Sequence, residues 1–348
     1  MKTTRFEQID GIRAFAIALV VASHTQAFRL YGQGGLAVTI FFALSGFMLV
    51  LPAKEDGEEQ FASFKSICLF YIKKIIRLIP TYYIIFLTVH WVTDSSESLL
   101  DNLLFRNCYG HLWFLQQEVV FLMIAPYLML LLYLFKKILK KILKVNNNII
   151  AVLLLISARP IQEFLTSHGF YLIGNGKPQP FRIGLFLIGM AFGYLYKSSR
   201  NFRIKSTLGK VGADVICLIL MFASVFSSAY FLGKINPALE GYQVGWNRPY
   251  LCALASGLFF IMILYNSDGF LAKVLQFPII VYIGKVSYSI YLIHFFIIPY
   301  APFSANKKIF VAVFLASLGI SSLLYEWIEK PIQALFTKIC ERSKLSNT

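Results

Sequence analysis

Arg13 and His24 stand eleven positions apart inside the first apolar segment of the chain, GIRAFAIALVVASHTQAF. A charged or titratable side chain within a hydrophobic run is costly to bury, so by default it marks a working site. At about 100° per residue, eleven steps return a helix to within roughly 20° of the same face, after a rise of roughly 16 Å. The spacing predicts that both side chains line one stripe at different depths. An imidazole is neutral near pH 7 and suited to take a proton from a hydroxyl. The bland reading is a histidine that only hydrogen-bonds a neighbouring helix.

Glu118, in HLWFLQQEVVFLMIAP, is the natural partner for His24. Seven residues along a helix descending from His111 place it roughly 10 Å below the outer end, at the expected depth of His24. A carboxylate there would fix the imidazole tautomer and stabilise the imidazolium; alternatively it pairs with some other polar group. On the opposite side Asp10, Arg13, Lys74 and Arg77 gather. Such a cluster can bind phosphates, Arg through bidentate hydrogen bonds and Lys as a point charge, or Lys73 and Lys74 can act as membrane-surface anchors. In GGLAVTIFFALSGFML, Gly46 suits close helix packing and Ser45 can hydrogen-bond a ligand. Ser287, Tyr291 and His294 at i, i+4 and i+7 share a helix face, lining either a cavity or an interhelical network. Arg159 either snorkels outward or pairs with Glu163.

The elements that must hold these residues follow from composition. With 57% hydrophobic residues, 14% charged residues and a mean hydropathy of +0.66, a soluble globular chain is excluded. Apolar runs long enough for a hydrocarbon layer of roughly 30 Å fall near 12–28, 35–51, 78–93, 111–134, 149–165, 182–197, 211–232, 249–266, 285–300 and 309–328. The expectation is an all-α membrane protein, a polytopic bundle of about ten transmembrane helices, because helices satisfy their own backbone groups in lipid. The net charge of +16 is a topology signal rather than a nucleic-acid footprint. Lys and Arg crowd alternate connections, as at Lys65, Lys73, Lys74 and Arg77 or Arg200, Arg203 and Lys205, which puts both termini in the cytoplasm. KKILKKILK, at 136–144, reads as an anchor for anionic lipid. The segment FASFKSICLFYIKKIIR is expected to lie at the interface as an amphipathic helix, with Pro80 opening the third span. Cysteines at 68, 108, 217, 252 and 340 form no CxxC pair, and on this topology only Cys108 lies in an external loop, hence no disulfide framework and no thiolate metal site is expected. Arg13 and His24 interrupt the first span, which argues against a cleaved signal peptide. The turn-rich, aromatic segments 167–182 and 233–249 either stack on sugars or form an interfacial belt.

Taken in order, the motifs resemble the acyltransferase family 3 membrane proteins, which O-acetylate bacterial surface polysaccharides and other extracytoplasmic acceptors. IDGIRAFAIALVVASH is similar to the family's N-terminal Arg and His signature, FFALSGFML to its second-span motif and YIKKIIRLIPTYY to its basic third-span motif. HLWFLQQEVVFLMIAP, VSYSIYLIH and YEWIEKP also fit. Lys74 stands where the family often has an arginine. The resemblance implies a standalone membrane O-acetyltransferase without a C-terminal hydrolase-like domain: one domain over 1–348 with a cytoplasmic tail at 329–348, in the inner membrane of a bacterium. His24 and Glu118 would be catalytic, and Asp10, Arg13, Ser45, Lys74 and Arg77 would bind the acyl donor. His111, Trp113, Tyr291 and His294 would line the acceptor side. Acetyl-CoA is expected as co-substrate, a glycan as acceptor and membrane lipid as surroundings, with no nucleic acid, metal or resident cofactor. The rival reading is a proton-coupled transporter or exporter of an anionic or glycosylated solute, with His24 and Glu118 as its relay. The sequence assigns no oligomeric state.

Overall fold

A computed structural model describes residues 6–27, 34–51, 57–93, 98–108, 110–139, 146–174, 176–226, 247–301 and 306–345. The chain folds into helices α1 (Glu7–His24), α2 (Gly34–Val50), α3 (Phe64–Thr93), a short α4 (Leu99–Leu103), α5 (Trp113–Leu139), α6 (Asn147–Ser167), α7 (Ile183–Ser198) and α8 (Thr207–Phe226). After these come α9 (Asn247–Tyr265), a short α10 (Phe270–Leu275), α11 (Pro278–Ile297), α12 (Asn306–Leu324) and α13 (Lys330–Leu345). The described part of every apolar run expected from the sequence lies on or at the end of one of the longer helices, residues 28 and 227–232 being outside the described residues. Five stretches are long and apolar enough to cross a membrane: Phe64–Val92, Gly110–Ile138, Asn147–Ser167, Pro278–Tyr300 and Asn306–Cys340. α2, α7 and most of α9 are shorter apolar helices. The protein is a multi-pass helical membrane protein.

The centre of the bundle is built from backbone-to-backbone contacts. A Cβ on Gly46 of α2 would overlap the carbonyl of Phe186, and one on Gly189 of α7 would overlap the carbonyl of Ala43. The packing role expected of Gly46 is therefore the observed one. Gly284 of α11 meets the carbonyl of Asp10 on α1 in the same way. Because Asp10 and Gly284 touch near the starts of their helices while His24 and His294 touch near the ends, α1 and α11 run side by side in the same direction. α2 lies between α1, α7 and α9, and α6 covers α7.

Four local features depart from expectation. The interfacial helix does not stop at Pro80: α3 is one helix of 30 residues with Pro80 inside it. Proline removes one intrahelical donor, and the apolar residues on both sides keep the helix going. Segment 167–182 is a hairpin, β2 (Tyr171–Gly174) antiparallel to β3 (Lys177–Pro180), with β1 (Asn107–Cys108) parallel to β2. These strands are too short for an alternation of side chains to be seen in the sequence. The start of the segment 329–348 is not a break in the helix either, since α12 runs on through a π turn, Tyr325–Glu329, into α13. Lys136, expected to face lipid, turns instead to Glu58 (3.3 Å) and Asn147 Oδ1 (3.1 Å), tying the turn Gly57–Ala62 to α5 and α6. The segment 140–144 of the lysine-rich run and most of 233–249 lie outside the described residues. Arg159 pairs with Glu163 at 2.7 Å on the exposed face of α6, one of the two expected outcomes.

Candidate active site

α3 packs only sparsely on α5 and α11, and the space left between them and α2 is a cavity of about 270 Å³. Its polar lining is Arg13 of α1, Ser45 of α2, Lys74 and Arg77 of α3, Glu118 of α5, and Ser287, Tyr288 and Tyr291 of α11. Seven of the residues singled out by type and spacing are thus brought together, Ser287 among them. Their charges are unequally matched. Arg13 bonds Asp10 Oδ1 at 3.0 Å, so Asp10, itself buried, orients Arg13 from outside the cavity. Lys74 and Arg77 make no ion pair with any described residue; the Lys74 ammonium sits 5.4 Å from the Phe70 ring centroid, and Arg77 is exposed. Glu118 Oε1 accepts a hydrogen bond from Ser45 Oγ at 2.8 Å, while Oε2 is buried without a partner. Ser45 therefore holds the carboxylate on one edge and leaves the other edge facing the cavity.

The expected pair of His24 with Glu118 does not form. Depth was matched by helical rise, but rotation about the axis decides the partner, and Glu118 points between α2 and α3 while His24 points at α11. His24 Nδ1 lies 2.7 Å from His294 Nε2. His111, just before α5, completes the group, its ring centroid 6.4 Å from that of His24 and 5.1 Å from that of His294. His111 Nε2 donates towards the carbonyls of Tyr291 (3.1 Å) and Leu292 (3.2 Å). His111 and His294 are buried, and His24 is half-buried. Among the described residues no group of three or more His, Cys, Asp or Glu side chains is arranged to hold a metal ion.

Tyr291 joins the two halves. Its ring lines the cavity, its hydroxyl donates to the backbone carbonyl of His111, and its ring centroid is 5.9 Å from that of His294. Phe114 packs edge-on to it at 5.3 Å, so these two rings close the cavity on the histidine side. Trp113 lies elsewhere, beneath the Arg182 guanidinium at 4.9 Å and against Phe42. Cys108 is fully buried beside this end of the molecule, and burial pushes its thiol up to about 12. It is no thiolate nucleophile at neutral pH.

Two residues escaped the sequence. Tyr288, one turn before Tyr291, lines the cavity and donates to the carbonyl of Leu78 at 2.9 Å; its i, i+3 spacing from Tyr291 was the available signal. Glu329 is buried and accepts from Ser289, directed inward by a π turn that no periodicity announces.

A family model described as an acyltransferase domain matches residues 6–326. The chain belongs to acyltransferase family 3. The match takes in the whole cavity and all three clustered imidazoles. The protein is 26% identical over 366 residues to the O-acetyltransferase OatA of Staphylococcus aureus (strain NCTC 8325 / PS 47), covering 93% of this chain and 57% of that one. OatA of strain COL matches with the same identity and coverage. The chain thus spans 57% of the length of the curated relatives it matches. No solved structure matches it.

Proposed function

We propose that this acyltransferase moves an acetyl group from acetyl-CoA, supplied on the cytoplasmic side, to a hydroxyl of a glycan outside a bacterial plasma membrane. The observation that carries the reading is the pair of cations, Lys74 and Arg77, in no ion pair with a described residue and lining a cavity whose far end is one tyrosine ring away from the imidazole cluster. Phosphates of the donor match these cations, Arg77 by its fork and Lys74 as a compact charge. Small-molecule pockets run roughly 300–1,000 Å³. A cavity of about 270 Å³ suits the thin pantetheine arm and acetyl end, with the nucleotide at the exposed Arg77 side. The rise of roughly 16 Å from Arg13 to His24 is a distance such an arm spans.

In this reading the thioester advances past Tyr291 and Phe114 towards His24. The acceptor hydroxyl loses its proton to His24 as its oxygen attacks the acetyl carbonyl. The tetrahedral intermediate expels the coenzyme A thiolate, which takes the proton back from the imidazolium, so the sum is one thioester and one alcohol giving one ester and one thiol. Glu118, held by Ser45, offsets the mutual repulsion of the cavity cations and so keeps them in place to orient the donor. Ten helices, α1 to α3, α5 to α9, α11 and α12, would cross the membrane with both ends of this chain on the cytoplasmic side, as the distribution of Lys and Arg favours.

Purified protein incubated with acetyl-labelled acetyl-CoA and bacterial polysaccharides tests the reading. Label should become ester-linked to the acceptor, and His24→Ala should abolish that transfer while the protein stays in the membrane fraction. Solute flux across vesicles with no transfer to any acceptor would favour the transporter instead.

A further inference from the structure

We propose that His294 is a positioning residue that fixes His24 as the tautomer protonated on Nδ1, leaving Nε2 as the nitrogen that takes the acceptor proton. The inference deepens the reading of His24 as base and rests on it. His294 Nδ1 lies 2.8 Å from the carbonyl oxygen of Tyr291 and 3.1 Å from that of Ile290. Carbonyl oxygens only accept, so this nitrogen carries a hydrogen.

His294 is fully buried with no carboxylate of a described residue bonded to it, and an uncompensated positive charge in such a place is costly. The ring is therefore neutral and its Nε2 is a lone pair. That lone pair faces His24 Nδ1 at 2.7 Å, and two lone pairs do not attract. His24 must supply the hydrogen from Nδ1. The ring planes differ by 11° with centroids 5.0 Å apart, the separation of two imidazoles meeting nitrogen to nitrogen in line rather than face to face. The hydrogen bond is thus near-linear, the geometry in which it is strongest.

One proton position propagates through the chain of groups. The α11 carbonyls set His294, His294 sets His24, and the lone pair left over is His24 Nε2. No described residue hydrogen-bonds that nitrogen, and it stands 3.7 Å from where a Cβ on Gly34 would be. Glycine at this point of α2 leaves the approach to the lone pair open. A second imidazole so replaces the acidic member of a triad in its orienting role, since an acceptor on the far nitrogen is what selects the tautomer. Unlike a carboxylate it brings no negative charge. His111 is anchored to the same stretch of α11 through Nε2, with its Nδ1 buried and unpartnered, and takes no part in the relay.

Two measurements test this. The chain holds only five histidines, so ring-nitrogen NMR of protein labelled with ¹⁵N-histidine in lipid nanodiscs is assignable by single His→Asn variants. At pH 8 His24 should show a protonated Nδ1 and a bare Nε2. In His294→Phe, which keeps an aromatic ring but no acceptor, the proton should move largely to Nε2. A wild-type His24 protonated on Nε2 would overturn the proposal, as would an unchanged tautomer in His294→Phe. The spectrum reads the proton whether or not acetyl transfer occurs, so failure of the tautomer and failure of the enzymatic reading are separate results. In turnover, His294→Phe should lower kcat by about 10- to 10³-fold with an unchanged KM for acetyl-CoA. His294→Gln, whose amide oxygen can accept from Nδ1–H, should recover much of that loss. Activity of the Phe variant equal to or above that of the Gln variant would mean that the ring only packs.

Discussion

Lys74 and Arg77 form no ion pair with a described residue, and Glu118, the carboxylate that shares their cavity, is hydrogen-bonded to Ser45. If they meet the phosphates of the donor, Arg77→Ala should raise the KM for acetyl-CoA about 10-fold, equivalent to about 1.4 kcal/mol of ground-state binding, with kcat little changed. The same KM should climb with ionic strength, because exposed charges are screened within roughly 10 Å at 0.1 M salt. A donor KM indifferent to both changes would remove the cations from donor binding. At this scale the sequence was informative about kinds of residue and poor about partners. Arg13, Ser45, Lys74, Arg77, Glu118 and Tyr291 could be picked out because ionisable or polar groups are conspicuous in apolar helices. The contact of His24 with His294 joins residues 270 positions apart, and nothing local to either encodes it. The mistaken partner, Glu118, came from matching depth alone, which helix rise supplies and helix rotation does not.

Between elements, the register of α1 against α11 decides whether the two imidazoles meet at all. That register is fixed where Gly284 lies on the carbonyl of Asp10. A methyl group there has no room, so Gly284→Ala should destabilise the protein by about 1–3 kcal/mol and lower transfer by pulling His294 from His24. Gly212→Ala on α8, where an added Cβ meets nothing, should be neutral or stabilise by about 0.4–1 kcal/mol through the unfolded chain. Thermal unfolding of both variants in one detergent checks the contrast, and equal shifts would mean that the close approach is not what binds α1 to α11. The helices themselves were legible, since long apolar runs in a chain without soluble character leave little else to form. The strands at 107–108, 171–174 and 177–180, the continuity of α3 through Pro80 and the π turn at 325–329 were not. Each is settled by contacts with other elements: Gly174, for instance, sits against Trp113.

For the molecule as a whole, the cationic cavity lies on one side of Tyr291 and the imidazole cluster on the other. The arrangement suits a transferase whose two substrates arrive from opposite faces. It predicts that reporters attached to the first and last residues of this chain both face the cytoplasm, measurable by protease protection of inverted vesicles. The central claim is tested most directly in proteoliposomes of one orientation, with labelled acetyl-CoA sealed on the side reached by Arg77 and a glycan acceptor present only on the other. The account predicts labelled ester on the opposite-side acceptor, dependent on His24 and absent when the donor is supplied only with the acceptor. Transfer that requires both substrates on one side, or that survives His24→Ala, would contradict it.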